Sequence, residues 1–208
     1  FDPTRRSDEP LTVLFLGRLE KRKGIPDLFA AIPPVLEQAP HVRFVIAGAD
    51  NSLADGFQAQ HGLNYPAWFA RQHPAALPHV EFLGGVSEER LNQLYQTCDL
   101  FVAPSLYESF GLIYLEAMNY GKAVVGCRAG GIPEVVEDGG NGLLVEPEAP
   151  AALAEAIVRL VRSPQLLREM GLAGRSRLLN RFTYVHMARG FAAAYRTVLQ
   201  QKGGQEGL

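Results

Sequence analysis

Residues 11–48 read LTVLFLGRLEKRKGIPDLFAAIPPVLEQAPHVRFVIAG, and this stretch decides the fold. Its two ends, 11–17 and 42–48, are near-continuous apolar runs. A run that is apolar at every position, rather than at alternate ones, suits a strand covered on both faces, as in a parallel sheet. Parallel neighbours need a crossover between them, and residues 27–38 supply a candidate helix. Pro33 and Pro34 are expected to bend or interrupt it, because proline lacks the N–H that a helix interior uses.

The same alternation continues outward. Residues 80–83, 99–103, 123–126 and 142–145 are further apolar runs. A helix is predicted over 88–96 behind Ser87 as N-cap. Another is predicted over 151–162, where Leu153, Ile157, Leu160 and Val161 form one stripe and Glu155, Arg159 and Arg162 lie on a different face. Two more follow at 165–179 and 184–200, with Thr183 as the cap of the second. Residues 49–78 carry Pro66, Pro74 and Pro78 and read as a loop plus one helix. Strand and helix in repeated alternation predict an α/β fold, a Rossmann-like doubly wound parallel sheet of about six strands with helices on both faces. One domain over 11–200 is expected, with residues 1–10 as the end of a linker and 201–208 as a frayed tail.

Composition excludes several classes. The 208 residues carry 20 Lys+Arg against 22 Asp+Glu, a formal charge of −2, whereas nucleic-acid binding needs a basic excess. Hydrophobic residues at 47% and charged residues at 20% suit a globular domain rather than a disordered or coiled-coil chain. No apolar run approaches the ~20 residues of a membrane helix, so no transmembrane segment is expected. The polar, proline-broken start FDPTRRSDEP does not resemble a signal peptide, and Phe1 suggests a piece of something longer. Cys98 and Cys127 are too few for a disulfide framework or a CxxC zinc site, so buried free thiols in a reducing, cytoplasmic compartment are expected. His41, His61, His73, His79 and His186 are scattered and read as surface or loop residues. There is no Asp-x-Asp, HExxH or GxSxG, so no metal site and no cofactor are expected.

In an open α/β sheet, ligands bind beyond the carboxyl ends of the strands. After the first run come Gly17 to Gly24, where Arg18 and Lys23 place two cations and the glycines allow close backbone approach. A solvated basic loop is the plain alternative. After the fourth run, Ser109 is expected to cap a helix reaching about Tyr120, so that the amides of Phe110, Gly111 and Leu112 point out of its N-terminus as an anion site. Glu108 sits just before this turn. Glu116 lies inside the helix among Leu112, Ile113, Leu115, Ala117 and Met118, where a buried carboxylate is costly unless paired; a buried ion pair or an exposed face of the helix is the plain alternative. At 1.5 Å per residue the two acids would stand roughly 12 Å apart, too far for a glycosidase pair at ~5–9.5 Å. That separation suits a ligand with hydroxyls at both ends and a diphosphate between, the layout of a sugar nucleotide. Past the fifth run, Gly130 and Gly131 are expected to leave bare amides near the same crevice, with Pro133 in a first helical turn; a plain strand-to-helix turn is the alternative.

These strings together resemble the carboxyl-terminal half of a retaining glycosyltransferase of family 4, the "group 1" transferases of GT-B fold. The resemblance is carried by GRLEKRKG at 17–24, VEFLGGVSEERLNQLYQTCDLFVAPS at 80–105, ESFGLIYLEAMNYGKAVV at 108–125, GGIPEVVEDGGNGLLVEP at 130–147 and FTYVHMARGFAAAYRTVL at 182–199. Its most specific part is E-x7-E, here Glu108 to Glu116. The resemblance implies a site residue by residue. Gly17, Arg18 and Lys23 hold the donor diphosphate; Glu108 contacts donor-sugar hydroxyls; Ser109, Phe110, Gly111 and Leu112 meet sugar and phosphate. Glu116 binds ribose, and Gly85 and Val86 meet the base. Glu108, Arg18 and Lys23 are the expected catalytic set. Ala49-Asp50-Asn51-Ser52 replaces a more usual glycine-rich turn.

The implied partners are a nucleotide diphosphate sugar and an amino-terminal acceptor domain absent from this chain, with a membrane-peripheral placement through that domain as an alternative to free cytoplasm. In the family the last helix crosses onto that domain, and Tyr184, Ala188, Phe191, Tyr195 and Val198 form a fitting stripe; packing on its own sheet is the alternative. Competing readings are an epimerase or phosphorylase on the same fold, a non-catalytic nucleotide-binding module, and a flavodoxin-like redox domain.

Overall fold

The computed structural model describes residues 10–203. Six strands form one parallel sheet: β1 (Leu11–Leu16), β2 (Val42–Ala47), β3 (Val80–Gly84), β4 (Leu100–Ala103), β5 (Ala123–Cys127) and β6 (Gly142–Val145). Their order is β3-β2-β1-β4-β5-β6, the doubly wound Rossmann order, which excludes the flavodoxin sequence of strands. Leu11 pairs with Val42 and Leu16 with Ala47, so β1 and β2 end level at their carboxyl ends. The chain reverses direction of winding between β1 and β4, and a crevice opens there.

The helices are α1 (Ile25–Gln38), α2 (Phe57–His61), α3 (Tyr65–Gln72), α4 (Glu88–Thr97), α5 (Leu112–Asn119), α6 (Ile132–Val135), α7 (Pro150–Val161), α8 (Pro164–Arg181) and α9 (Tyr184–Gly203). Alternate strand residues feed two cores. Val13, Phe15, Phe44, Ile46, Val102 and Val125 face α1, α3 and α7. Leu14, Val45, Phe101, Ala103 and Val124 face α4, α5 and α6. Burying each large apolar side chain contributes about 1.5–3 kcal/mol, and both faces do so along every central strand.

The strands lie within a residue or two of their predicted bounds. Three local expectations need correction. Pro33 and Pro34 do not interrupt α1, whose Ile25, Leu28 and Phe29 on one side of the prolines and Val35 on the other are all fully buried. Tertiary packing outweighs the missing amides. Residues 49–78 hold two helices, not one, because Gly56 and Gly62 bracket the extra short helix α2. The last helix continues to Gly203; the linker at 1–9 and the rest of the expected tail, 204–208, lie outside the described residues. Ser87 caps α4 as predicted, its hydroxyl accepting from the Arg90 amide. Two basic side chains close helix C-termini that the sequence left open. Lys122 donates to the Gln96 and Cys98 carbonyls at the end of α4, and Arg162 donates to the Gln38 carbonyl at the end of α1.

The stripe of α9 is not packed on its own sheet: Tyr184, Phe191, Tyr195 and Val198 are exposed. Among the described residues, no helix is long and apolar enough to cross a membrane.

Candidate functional site

The site is built where β1 and β4 end. The loop after β1 makes a short 3-10 turn at Lys21–Lys23 and enters α1 at Gly24. Gly24 has φ +71, and a Cβ there would stand 1.9 Å from the Pro104 carbonyl oxygen. Only glycine lets the two loops meet this closely. The contact is tied by hydrogen bonds, since the Leu106 amide donates to the Arg22 carbonyl at 2.9 Å and Arg22 Nη1 to the Tyr107 carbonyl at 3.2 Å.

This clamp brings Lys23 to Glu108. Lys23 Nζ donates to Glu108 Oε1 at 2.6 Å, with the two side chains 15% and 13% exposed. Ser105, fully buried, donates to the same oxygen at 2.9 Å. The stem of Lys23 runs beside Gly17. From the other side the Gly131 amide donates to the Glu108 carbonyl at 2.8 Å. The Gly131 amide is therefore not bare: it fastens the backbone of Glu108.

Arg18 points to solvent, 58% exposed, with Nη2 3.4 Å from Glu20 Oε1. Glu20, a functional candidate that the charge run does not distinguish, is buried. Its Oε1 accepts from Arg22 Nη2 at 2.8 Å and its Oε2 from Asn51 Nδ2 at 2.8 Å. An acid placed between Arg18 and Arg22 is the signal in the sequence, and a solvated loop would carry the same one. The turn at 49–52 is held by Asp50, which accepts from the Ser52 hydroxyl and from the Ser52 and Tyr65 amides. Aspartate thus supplies the geometry that a glycine-rich turn would.

The helix after β4 starts later than predicted. Gly111, at φ +90, is its N-cap and Leu112 its first residue, so Ser109 does not cap it. A side chain at Gly111 would meet the Tyr114 ring at 2.8 Å. Phe110 and Gly111 precede the helix, and the unbonded first-turn amides belong to Leu112 and Ile113. The roughly 12 Å helical separation of Glu108 and Glu116 therefore does not apply, because only residues from Leu112 onward are helical. Phe110 packs edge-on against Phe182, and Leu112 is exposed.

Glu116 is on the exposed face of the helix, the second of the two placements its neighbours allow. The buried Tyr95 hydroxyl donates to its Oε2 at 2.8 Å, and burial beside that carboxylate pushes the tyrosine hydroxyl up, keeping it a donor. Gly85 and Val86 lie just past β3, whose Gly84 carbonyl accepts from the Gly48 amide at 2.7 Å. All the predicted residues lie at the carboxyl ends of β1, β3 and β4 or on α5. Direct contact joins Lys23 and Glu108. Among the described residues, no three His, Cys, Asp or Glu side chains gather as metal ligands. Both cysteines are free and buried, their thiols pushed up to about 12 by that burial. His61 and His73 are not simple loop residues; both pack against Trp68.

The family profile described as glycosyl transferases group 1 matches residues 1–177. The alpha-maltose-1-phosphate synthase of Mycolicibacterium smegmatis is 35% identical over 193 residues, which cover 89% of this chain and 48% of that protein. The crystal structure of Anabaena Alr3699/HepE in complex with UDP-glucose superposes with a TM-score of 0.76 at 26% identity, over 90% of this chain and 49% of that one. The C-terminal domain of a group 1 family glycosyl transferase (LpcC) from Francisella tularensis superposes with a TM-score of 0.71 at 25% identity, over 85% of this chain and 89% of that one. The chain spans about half the length of the curated relatives it matches.

Proposed function

The chain belongs to the group 1 glycosyltransferases, and from that premise we propose that it is the donor-binding domain of an enzyme that moves a sugar from a nucleoside diphosphate to an acceptor hydroxyl with retention of configuration. The observation that carries this is the contact of Lys23 with Glu108 across the crevice between β1 and β4. A cation for the diphosphate and an acid for the sugar stand side by side, each anchored by the opposing loop. Glu108 uses Oε1 for Lys23 and Ser105, and Oε2 is the atom assigned to donor-sugar hydroxyls. The HepE structure, holding UDP-glucose on the same fold, supports a uridine nucleotide as the first ligand to try.

As the glycosidic bond breaks, the leaving diphosphate gains charge. Lys23, Arg18 and the first-turn amides of α5 would stabilise it, at ~3–4 kcal/mol for each well-placed donor. In this proposal they replace a divalent ion, Glu108 orients the sugar without forming a covalent link to it, and Glu116 holds the ribose. Acceptor contacts come from an amino-terminal domain, onto which the exposed stripe of α9 docks, so the chain alone turns over poorly. A cytoplasmic location belongs to the same reading.

Calorimetry of Lys23→Ala with UDP and with uridine tests it. Loss of one charge-assisted bond of about 1.5–3 kcal/mol predicts roughly ten- to hundredfold weaker UDP binding and unchanged uridine binding. Equal losses for both ligands would refute the assignment, as would UDP binding that appears only with added magnesium.

A further inference from the structure

A cavity of about 410 Å³ opens over the first turn of α1, apart from the Lys23–Glu108 crevice. Pro26, Phe57, Trp68 and Leu106 form its apolar wall. Phe57 and His61 meet Trp68 edge-on, at 5.7 Å and 76° and at 5.8 Å and 66°. Behind them the core ring of Phe29 lies parallel to Trp68 at 6.2 Å, which fixes the indole. Lys21, Gln60 and His61 bring hydrogen-bond donors to the lining, and Asp27 and Glu148 bring acceptors. Lys21 Nζ already donates to Gln60 Oε1 at 3.1 Å, which leaves the Gln60 amide nitrogen as the donor that side chain can offer. Glu148 holds φ +57, the one non-glycine residue at positive φ among the described residues. Backbone strain of this kind gathers at ligand clamps. Its backbone amide donates to Asp27, whose carboxyl burial pushes up.

We propose that this cavity is a binding site for a neutral saccharide unit, distinct from the donor site. Its size falls in the ~300–1,000 Å³ range of small-ligand pockets, and its lining sets aromatic carbon beside hydrogen-bonding side chains. The polar set decides the class. Donors and acceptors face the same space, so the ligand must both accept and donate, as hydroxyls do. An ammonium only donates, so it would answer Asp27 and Glu148 but leave the donors of Lys21, Gln60 and His61 without an acceptor. A flat base would need parallel rings to lie between, whereas Phe57 and His61 both stand steeply inclined to Trp68. A pyranose presents C–H groups to an aromatic wall and paired hydroxyls to the carboxylates of Asp27 and Glu148. None of these side chains belongs to the proposed diphosphate site, so the inference stands independently of the donor reading. Yet Lys21 and Leu106 each sit two residues before Lys23 and Glu108, so the same two loops hold a bound saccharide in fixed relation to the crevice.

Trp68 is the chain's single tryptophan and forms part of the wall, so its fluorescence reports on the cavity. The chain is titrated with maltotriose, cellotriose, spermidine and uridine. At least one trisaccharide should give a saturable shift at about millimolar concentration, the strength expected of one small pocket. Asp27→Asn and Gln60→Ala should each weaken it about fivefold or more while UDP affinity by calorimetry stays unchanged. Gln60 is exposed, so its variant keeps the test open if the other fails to fold. No saturable shift with either trisaccharide, tighter binding of spermidine or uridine, or intact saccharide affinity in a folded variant would overturn the proposal. Joint loss of UDP and saccharide binding in a folded variant would overturn its separateness.

Discussion

Replacing Glu20 by Gln keeps the shape of the side chain and removes its charge. The carboxylate is 7% exposed, and Arg22 stands 2.8 Å from its Oε1. Asn51 donates to Oε2 at 2.8 Å, while Arg18 lies farther from Oε1, at 3.4 Å. An amide offers oxygen to one side only and turns its NH2 group to the other. Either the Arg22 bond or the Asn51 bond is then replaced by two donors facing each other. Hydrogen bonds to a charged group are worth about 1.5–3 kcal/mol. Arg22 is 44% exposed, so water recovers part of its bond and the lower end applies there. The Arg18 contact is long and more exposed still, and adds little. The expected cost is about 2 kcal/mol. In a chain of this size 1 kcal/mol moves Tm by about 2–4 °C, so calorimetric scanning should show a drop of about 4–8 °C. Arg22 also fastens the Tyr107 carbonyl beside Glu108, so slack should reach the crevice. UDP affinity should fall about three- to tenfold with uridine affinity unchanged. A Tm within a degree of the parent, or equal losses for UDP and uridine, would refute Glu20 as the tie between these loops.

Three further outcomes follow from burial and backbone. Cys98 and Cys127, raised to about 12 and nearly inaccessible, should stay unreactive toward a thiol-disulfide reagent at pH 8, and both should react after denaturation; prompt labelling of the folded chain would contradict this. Burial raises the Asp27 carboxyl, so its charged form is the costly one in the fold. Its stabilising contribution is complete below the ordinary ~3.9 and is lost as pH rises through the raised value. Asp27→Asn should therefore gain stability over the parent in urea titrations as pH climbs from 4 to 7, and a constant difference would be the wrong result. In α8 a Cβ at Gly171 would stand 2.0 Å from the Gly121 carbonyl oxygen, whereas one at Gly190 in α9 meets nothing within 4 Å. Gly171→Ala should lower the urea midpoint strongly, and Gly190→Ala should stabilise by about 0.5–1 kcal/mol; the same sign for both would be inconsistent with the packing.

How much was legible depends on where each residue's neighbours come from. Strands such as β1 and β2 were readable because burial on both faces writes an unbroken apolar run, and α7 because one face is apolar and the other charged. Pro33 and Pro34 misled because their cost is local, while the burial of Phe29 and Val35 that outweighs it is set by distant strands. Ser109 looked like a cap because its residue type suits one; the left-handed Gly111, two residues later, took the role. For Glu116 the apolar neighbours along the chain left burial and exposure both open, and helical spacing, which turns Leu115 and Ala117 elsewhere, decides for exposure. Glu20 and Ser105 were missed for two reasons. Asn51, the partner of Glu20, comes from a distant stretch of the chain, and Ser105 meets Glu108 three residues on in a loop that carries no periodic signature.

The pairing of Lys23 with Glu108 explains why so many backbone contacts converge on two short loops. An isolated buried charge is costly, and a charge pair repays that cost only if its geometry is held. Here Gly24 seats one loop on Pro104, Arg22 binds the Tyr107 carbonyl, and Gly131 binds the Glu108 carbonyl. Lys23 and Glu108 therefore meet with little freedom left to lose. In the proposed reaction a diphosphate takes Lys23, Ser105 keeps Glu108 Oε1, and sugar hydroxyls take Oε2. The exchange swaps one set of charge-assisted bonds for another without moving the loops. Glu108→Gln separates the two halves of this argument. It leaves Ser105 and the backbone clamp in place and removes the charge that holds Lys23. UDP, which lacks the sugar, should then bind as well as before or more tightly, because Lys23 no longer has to leave a carboxylate. UDP-glucose should bind several-fold more weakly relative to UDP. If Glu108→Gln weakened UDP as much as UDP-glucose, the carboxylate would serve the diphosphate end, and the division of labour between the two loops would be wrong.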